Sequence, residues 1–189
     1  MSNRLTLLAI AAAFFLPVLI AVVLHSQWID WTAEPGRAHG VLIEPVVPIG
    51  EFDVVDAAGD RLTGTDLRGR WQLILATRAP CAEDCRERLA LMRQLWTSLN
   101  RHQPDVGMLF VTDGALSQEV LEFVEALDAP FRVVDGAAGA TLARRLPELD
   151  RGGFYIVDPM GNIMERFAAD ADLNGVRKDL RRLLTWTRE

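Results

Sequence analysis

The apolar positions change period several times along this chain, and the changes divide it. Residues 5–24 read LTLLAIAAAFFLPVLIAVVL, twenty positions without a charge and with Thr6 and Pro17 as the only interruptions. A helix rises about 1.5 Å per residue, so this run spans roughly 30 Å, the apolar thickness of a bilayer. It predicts a transmembrane anchor over 5–24, preceded by a short cytoplasmic N-terminus, residues 1–4. A cleaved secretory signal has a shorter apolar core of about 7–15 residues, then a small-residue cleavage site. Here the run passes into His25-Ser26-Gln27-Trp28 with no such site. Trp28 and Trp31 follow, where amphipathic rings favour the headgroup layer. Residues 25–50, broken by Pro35-Gly36, His39-Gly40, Pro45 and Pro48, hold no regular period and read as a juxtamembrane lead.

From residue 51 the pattern becomes regular. Glu51–Val55 and Arg61–Gly64, around Ala58-Gly59, predict a hairpin. Trp71–Ala76 and Val106–Val111 are continuous apolar runs of strand length, as strands buried on both faces require. Between them, Leu89, Met92, Leu95, Trp96 and Leu99 recur at helical steps and predict a helix from Ala82 to about Arg101. Ser117 heads a second helix through Val120, Leu121, Val124 and Leu127, with the hydroxyl as its cap. Phe131–Val134 predicts a short strand and Ala137–Leu146 a short helix stopped by Pro147. Gly153–Val157 and Ile163–Phe167 bracket the turn Asp158-Pro159-Met160-Gly161, and Asp172–Trp186 closes the chain as an amphipathic helix. Strands alternating with helices and ending in an antiparallel hairpin predict an α/β domain over 51–189, a mixed sheet covered by helices.

Charge orients the anchor. Arg4 and the amino terminus precede the apolar run, while Asp30 and Glu34 follow it, so the long C-terminal part is expected on the exported side. The net charge of −6 and the lack of a basic run exclude nucleic acid as an expected partner. The chain has two cysteines, and in an exported protein these can form a disulfide, stay reduced for chemistry or bind a metal.

Both cysteines lie in one segment, Cys81-Ala-Glu-Asp-Cys85, directly after the first buried strand and Thr77-Arg78-Ala79-Pro80. A helix starting there puts Cys81 at its N-terminus and Cys85 one turn on. Unsatisfied N–H groups and the helix dipole favour the thiolate at that place. Arg78 and Arg86 add to the effect; Glu83 and Asp84 oppose it. A four-residue step sets two sulfurs where one Cu(I) could bridge them given a third ligand, and a disulfide across the same gap is also within geometric reach. An inert structural pair is the bland alternative. A buried strand followed by a cysteine and then a helix is also the order of the thioredoxin fold.

With these residues in place, the chain resembles the Sco/SenC proteins, membrane-anchored thioredoxin-like factors that serve copper-site assembly in cytochrome c oxidase. The resemblance rests on the single anchor, Gly40-Val41-Leu42-Ile43, Leu67-Arg68-Gly69-Arg70-Trp71-Gln72-Leu73-Ile74, the CxxxC of Cys81 and Cys85, and Tyr155-Ile156-Val157-Asp158-Pro159-x-Gly161. It implies a thioredoxin-like domain exported to the periplasm from the inner membrane of a bacterium. It also implies a membrane-protein partner, such as a respiratory oxidase subunit or a copper chaperone. Cys81 and Cys85 become the expected reactive pair and possible copper ligands. The family's third copper ligand, a histidine, falls here on Asp150, whereas the histidines are His25, His39 and His102. A carboxylate is a hard ligand and suits Cu(I) poorly. Met160 and Met164 are soft alternatives, read more simply as an exposed turn residue and a strand residue. His39 could fold back from the lead, and His102 reads as a surface histidine. Pro80 precedes Cys81 where the family has a proline after the first cysteine. Thioredoxins proper also set a cis-proline opposite the cysteines; here that strand begins Arg151-Gly152-Gly153-Phe154. General extracytoplasmic thiol–disulfide exchange and a binding module without cysteine chemistry are the alternative functions.

Overall fold

The computed structural model describes residues 39–78, 81–149 and 152–186, together with the helical Ala13, Phe15 and Leu16. Two compact units divide the chain, Met1–Arg37 and Ala38–Glu189. The expected anchor therefore lies, but for those three residues, outside the described part, as do Trp28 and Trp31. Among the described residues no helix is long and apolar enough to cross a membrane.

The second unit is built on a six-stranded mixed sheet. Its strands are β1 (Val41–Pro48), β4 (Trp71–Thr77), β5 (Val106–Thr112), β6 (Phe131–Val134), β7 (Gly153–Val157) and β8 (Asn162–Ala168), in the order β1-β8-β7-β4-β5-β6. The strands β4, β5 and β6 run parallel, and β7, β8 and β1 are added antiparallel. A separate two-stranded ribbon joins β2 (Asp53–Val55) to β3 (Arg61–Thr63), the expected hairpin. The helices are α1 (Glu83–Ser98), α2 (Gln118–Ala126), α3 (Gly136–Ala143) and α4 (Leu173–Trp186).

Alternation along β4 explains the two cores. Leu73 and Leu75 turn to one face with Phe110, Phe154, Leu89, Met92 and Leu180, so α1, α2 and α4 cover that side. Ile74 and Ala76 turn to the other with Leu109, Val111, Tyr155, Leu142 and Leu62, under α3 and the ribbon. A central strand apolar on both faces from Leu73 to Ala76 is the consequence, with the buried Gln72 before it donating its Nε2–H to the Leu67 carbonyl at 3.0 Å. Ser117 caps α2 as its sequence predicts, its hydroxyl oxygen accepting from Val120 N–H at 3.4 Å.

Three expectations need correction. The lead is not irregular to residue 50, because β1 pairs with β8 over Val41↔Arg166 and Val47↔Ile163. Pro45 and Pro48 are tolerated since β1 is an edge strand, where a missing N–H leaves no ladder bond unmade. The register shifts between Leu42 and Val47, around that first proline. Second, α1 stops at Ser98 and a 3₁₀ turn over Asn100–Asp105 carries the chain into β5. Third, that turn tucks His102 inward, leaving it 9% exposed, so it is not a surface histidine. Arg101 Nε–H donates to its Nε2 at 3.3 Å, which sets the other ring nitrogen toward Asp105 at 3.4 Å.

The strand β8 carries a charge that its apolar neighbours conceal. Glu165 shares a sheet face with Phe167 and is 2% exposed, beside Asp179 of α4 at 7%. Burial pushes the Glu165 carboxyl up to about 7, the Asp179 charge and its hydrogen bond adding to the rise while Gly40 N–H opposes it.

Candidate functional site

The site forms where β4 ends and α1 begins. Every side chain of β4 from Trp71 to Ala76 is buried, which fixes its C-terminal end at the middle of the sheet. Ala82 then caps α1 without a side-chain oxygen, and its carbonyl instead accepts from Cys85 N–H at 3.1 Å and Arg86 N–H at 3.2 Å. Cys85 thus sits in the first helical turn and Cys81 just before it. Their sulfurs are joined in a disulfide with the Cα atoms 5.2 Å apart. Of the outcomes open to this spacing, the oxidised pair is the one present. Both side chains belong to the apolar cluster beneath α1, at 9% and 7% exposure.

Charged groups ring the disulfide. Glu83 and Asp84 occupy the first turn of α1 and are exposed. Arg86 crosses to α2, its Nη1 donating to Glu119 Oε1 at 2.9 Å. Arg78 lies on the other flank, where its Nε donates to the Leu149 carbonyl at 3.1 Å and its Nη1 stands 3.5 Å from Asp113 Oδ2. Arg78 therefore ties the end of β4 to the segment before β7. That segment returns at Gly152, whose φ of +81° places it where a Cβ would stand 2.8 Å from the Ala76 carbonyl. A glycine here lets the entry to β7 approach β4 at the place where the sequence lacks the thioredoxin proline.

The expected ligands do not gather around the sulfurs. Asp150 lies outside the described residues. Met160, 72% exposed, occupies the β7–β8 turn. That turn is at the far end of the sheet, because Gly153 pairs with Ala76 at the cysteine end and Val157 with Gln72 at the other. Met164 is half-buried on β8 and packs at the edge of the α1 and α4 core. His39 does fold back, but onto Asp179 of α4, with its Nδ1 3.2 Å from Oδ1. His102 lies beyond the C-terminal end of α1, a full helix away. Among the described residues no three histidine, cysteine, aspartate or glutamate side chains form a metal cluster. Two sulfurs bonded to each other must first be reduced before either can serve as a soft ligand.

Two residues that the sequence reading passed over border the same place. Thr77 and Thr112 end β4 and β5, pair in register, and each bury a hydroxyl with no hydrogen-bond partner among the described residues. They are two positions beyond Leu75 and Phe110, which puts them on the disulfide's face of the sheet. Their signal in the sequence was a polar residue at an inward position of an otherwise apolar strand.

A mixed sheet with a cysteine pair at the junction of a central strand and its helix defines a thioredoxin-like protein. A family model agrees over residues 71–187, and the chain belongs to the family described as "Transmembrane-like, thioredoxin-like, C-terminal domain". Solved structures share the fold. Copper-bound yeast Sco1 superposes with a TM-score of 0.63 at 16% identity, over 76% of this chain and 95% of that one. Apo Sco1 from Thermus thermophilus gives 0.63 at 16% identity, over 77% and 96%. A putative protein disulfide isomerase from Bacteroides thetaiotaomicron gives 0.59 at 16% identity, over 79% and 94%. No curated protein matches the sequence. Resemblance to Sco/SenC in the motifs is thus joined by likeness in fold.

Proposed function

We propose that this chain is a membrane-anchored, extracytoplasmic thiol–disulfide factor. In this reading it acts through Cys81 and Cys85 on cysteines of another protein at the same membrane, in the manner of a Sco-like assistant to the copper site of cytochrome c oxidase. The observation that carries the reading is the Cys81–Cys85 disulfide at the start of α1, with no metal-holding group of histidine, cysteine, aspartate or glutamate among the described residues. The apolar run of 5–24 and the family's transmembrane-like description support the anchor. The likeness in fold to a copper-bound Sco1 supports a place near copper handling, that to a putative disulfide isomerase supports thiol exchange, and the oxidase connection rests on the Sco/SenC motifs in the sequence.

The chemistry is an exchange in two displacements. A partner thiolate attacks Cys81 Sγ, the new sulfur–sulfur bond forms, and Cys85 leaves as a thiolate in the first turn of α1, where N–H groups favour negative charge. The partner's second thiolate then attacks the mixed disulfide and releases Cys81. The partner leaves oxidised and the pair reduced; run backward, the pair reduces a partner disulfide. Copper enters this reading as the cargo of the partner.

The test is covalent trapping. Cys85→Ser should retain a mixed disulfide through Cys81 in membranes, released by dithiothreitol, with an oxidase subunit or a copper chaperone as its other half. Trapping of many unrelated exported proteins would instead indicate a general oxidoreductase. A Cys81→Ser/Cys85→Ser protein that supports oxidase assembly as well as the wild type would leave only a binding module.

A further inference from the structure

We infer that the Thr77 and Thr112 hydroxyls are hydrogen-bond donors held for the reduced state of the Cys81–Cys85 pair, where they stabilise a thiolate. The inference rests on the thiol–disulfide reading above and adds two residues to it. Buried hydroxyls without partners are uncommon because each gives up its water for nothing, and a redox role is one of the few explanations for keeping them. Here two occur side by side. Thr112 is fully buried, Thr77 buries its oxygen, and the two face each other across adjacent parallel strands. Both lie on the sheet face that carries Cys81 and Cys85, at the end of β4 from which α1 departs.

The chemistry explains why the partner is missing in the oxidised protein. A disulfide sulfur accepts hydrogen bonds poorly. Reduction changes that. A partner dithiol gives up two electrons and leaves as a disulfide. One sulfur of the pair takes a proton, the other remains a thiolate, and the second proton passes to water. The thiolate is a charged acceptor in an apolar pocket, where burial would otherwise push its pKa up. Two hydroxyls on the same sheet face, whose protons turn freely about the C–O bond, are donors suited to such an acceptor. The arginines that flank the pair in sequence are already engaged, Arg86 with Glu119 and Arg78 with the Leu149 carbonyl.

The oxidation states give this idea a signature that a packing role lacks. Thr77→Val and Thr112→Val should leave the oxidised protein as stable to urea as the wild type, or more so, since each removes an unsatisfied hydroxyl. In the reduced protein the same changes should raise the midpoint of the thiolate titration, read by iodoacetamide alkylation against pH, by about one pH unit, a tenfold loss of thiolate at neutral pH. Thr77→Ser and Thr112→Ser should restore the wild-type titration. An unchanged titration in both valine variants would overturn the inference, as would an equal loss of stability in the two oxidation states. Should valine prevent folding, the comparison of Thr112→Ser with Thr112→Ala makes the same decision. The exchange reading fails by a different result, a wild-type pair that never equilibrates with glutathione, and the alkylation profile still decides the threonines.

Discussion

His39 meets Asp179 twice, once through its backbone N–H and once through its ring, with Nδ1 3.2 Å from Oδ1. The contact joins the first described residue of the domain to the middle of its last helix. Asp179 in turn shares a hydrogen bond with Glu165 of β8, so the lead, the strand next to the β1 edge and α4 meet at one buried acidic pair. Two carboxyl groups this close hold together best with a single negative charge between them. The Arg182 charge on α4 acts on Glu165 in the opposite direction, favouring its ionised form.

The pair makes stability depend on pH in a direction opposite to that of an ordinary salt-bridged carboxylate. The Glu165 carboxyl stands at about 7 in the folded protein against 4.5 in its absence. Between those values the folded state holds the extra proton. Its stabilising share is therefore whole below about pH 4.5 and is lost as pH rises through 7. The expected fall is about 3 kcal/mol across that window. Urea unfolding of the oxidised protein at a series of pH values measures it. Glu165→Gln should flatten the slope, and an unchanged slope in that variant would place its source elsewhere.

Two glycines admit the lead to this pair. A Cβ on Gly40 would stand 2.7 Å from Glu165 Cγ and 2.9 Å from the Arg166 carbonyl, and one on Gly175 would stand 2.7 Å from His39 Cβ. Gly40→Ala is expected to cost about 1–3 kcal/mol, since backbone as well as side chains must shift. Gly175→Ala should act more narrowly. Hydrogen exchange should quicken over residues 39–48 while β4 and β5 keep their protection. Equal loosening of the central strands would mean that the lead is not a separate latch.

These residues show where the sequence was legible and where it stopped. Trp71–Ala76 and Val106–Val111 could be read as buried strands because every position but Gln72 is apolar, and all of them are buried. Cys81 and Cys85 could be placed at a strand–helix junction by the same contrast of patterns. The strand β1 was hidden by Pro45 and Pro48, whose usual meaning as breakers does not apply on a sheet edge. His102 was misjudged because the turn after α1 folds inward, a tertiary event without a local signal. Glu165 did have a signal, its spacing of two from Phe167, but a charge at an inward position has meaning only once Asp179 is known to face it. The third-ligand position fell on Asp150 in the sequence, outside the described residues, whereas Met160, His39 and His102 are held away from the sulfurs for tertiary reasons that have no local signal.

Reduction of Cys81–Cys85 should lower stability modestly. The bond closes a loop of only a few residues, for which loop-closure entropy gives about 2 kcal/mol. Leu89, Met92 and Leu95 keep α1 on the sheet in either state. Reduced protein is thus expected to remain folded, with a lower urea midpoint and an unchanged slope. Collapse of the far-ultraviolet signal on reduction would make the disulfide a structural staple and would weaken the exchange reading.

A last prediction concerns the far edge of the sheet. The strand β6 is the terminal strand opposite β1, and such an edge invites pairing with another chain. The ribbon covers it: Ala57 N–H donates to the Val133 carbonyl at 2.8 Å. Asp56 holds that cover in place. Its carboxylate accepts from Ala58 and Asp60 N–H at 3.1 and 2.9 Å and from Arg132 at 2.7 and 3.0 Å, almost wholly out of water. Asp56→Ala removes the buried half of an ion pair whose Arg132 partner is partly exposed, and the turn's internal acceptor together. The expected cost is about 2 kcal/mol, most of it from leaving two N–H groups without their acceptor and Arg132 with only the Arg61 carbonyl and water. Loss of the cover should also free the β6 edge, so the variant should aggregate below its unfolding temperature. Arg132→Met in the same background removes the stranded charge and should recover part of the stability without restoring the cover. Light scattering therefore separates the two effects: if the double variant regains both stability and solubility, the ion pair alone matters and the edge was never at risk.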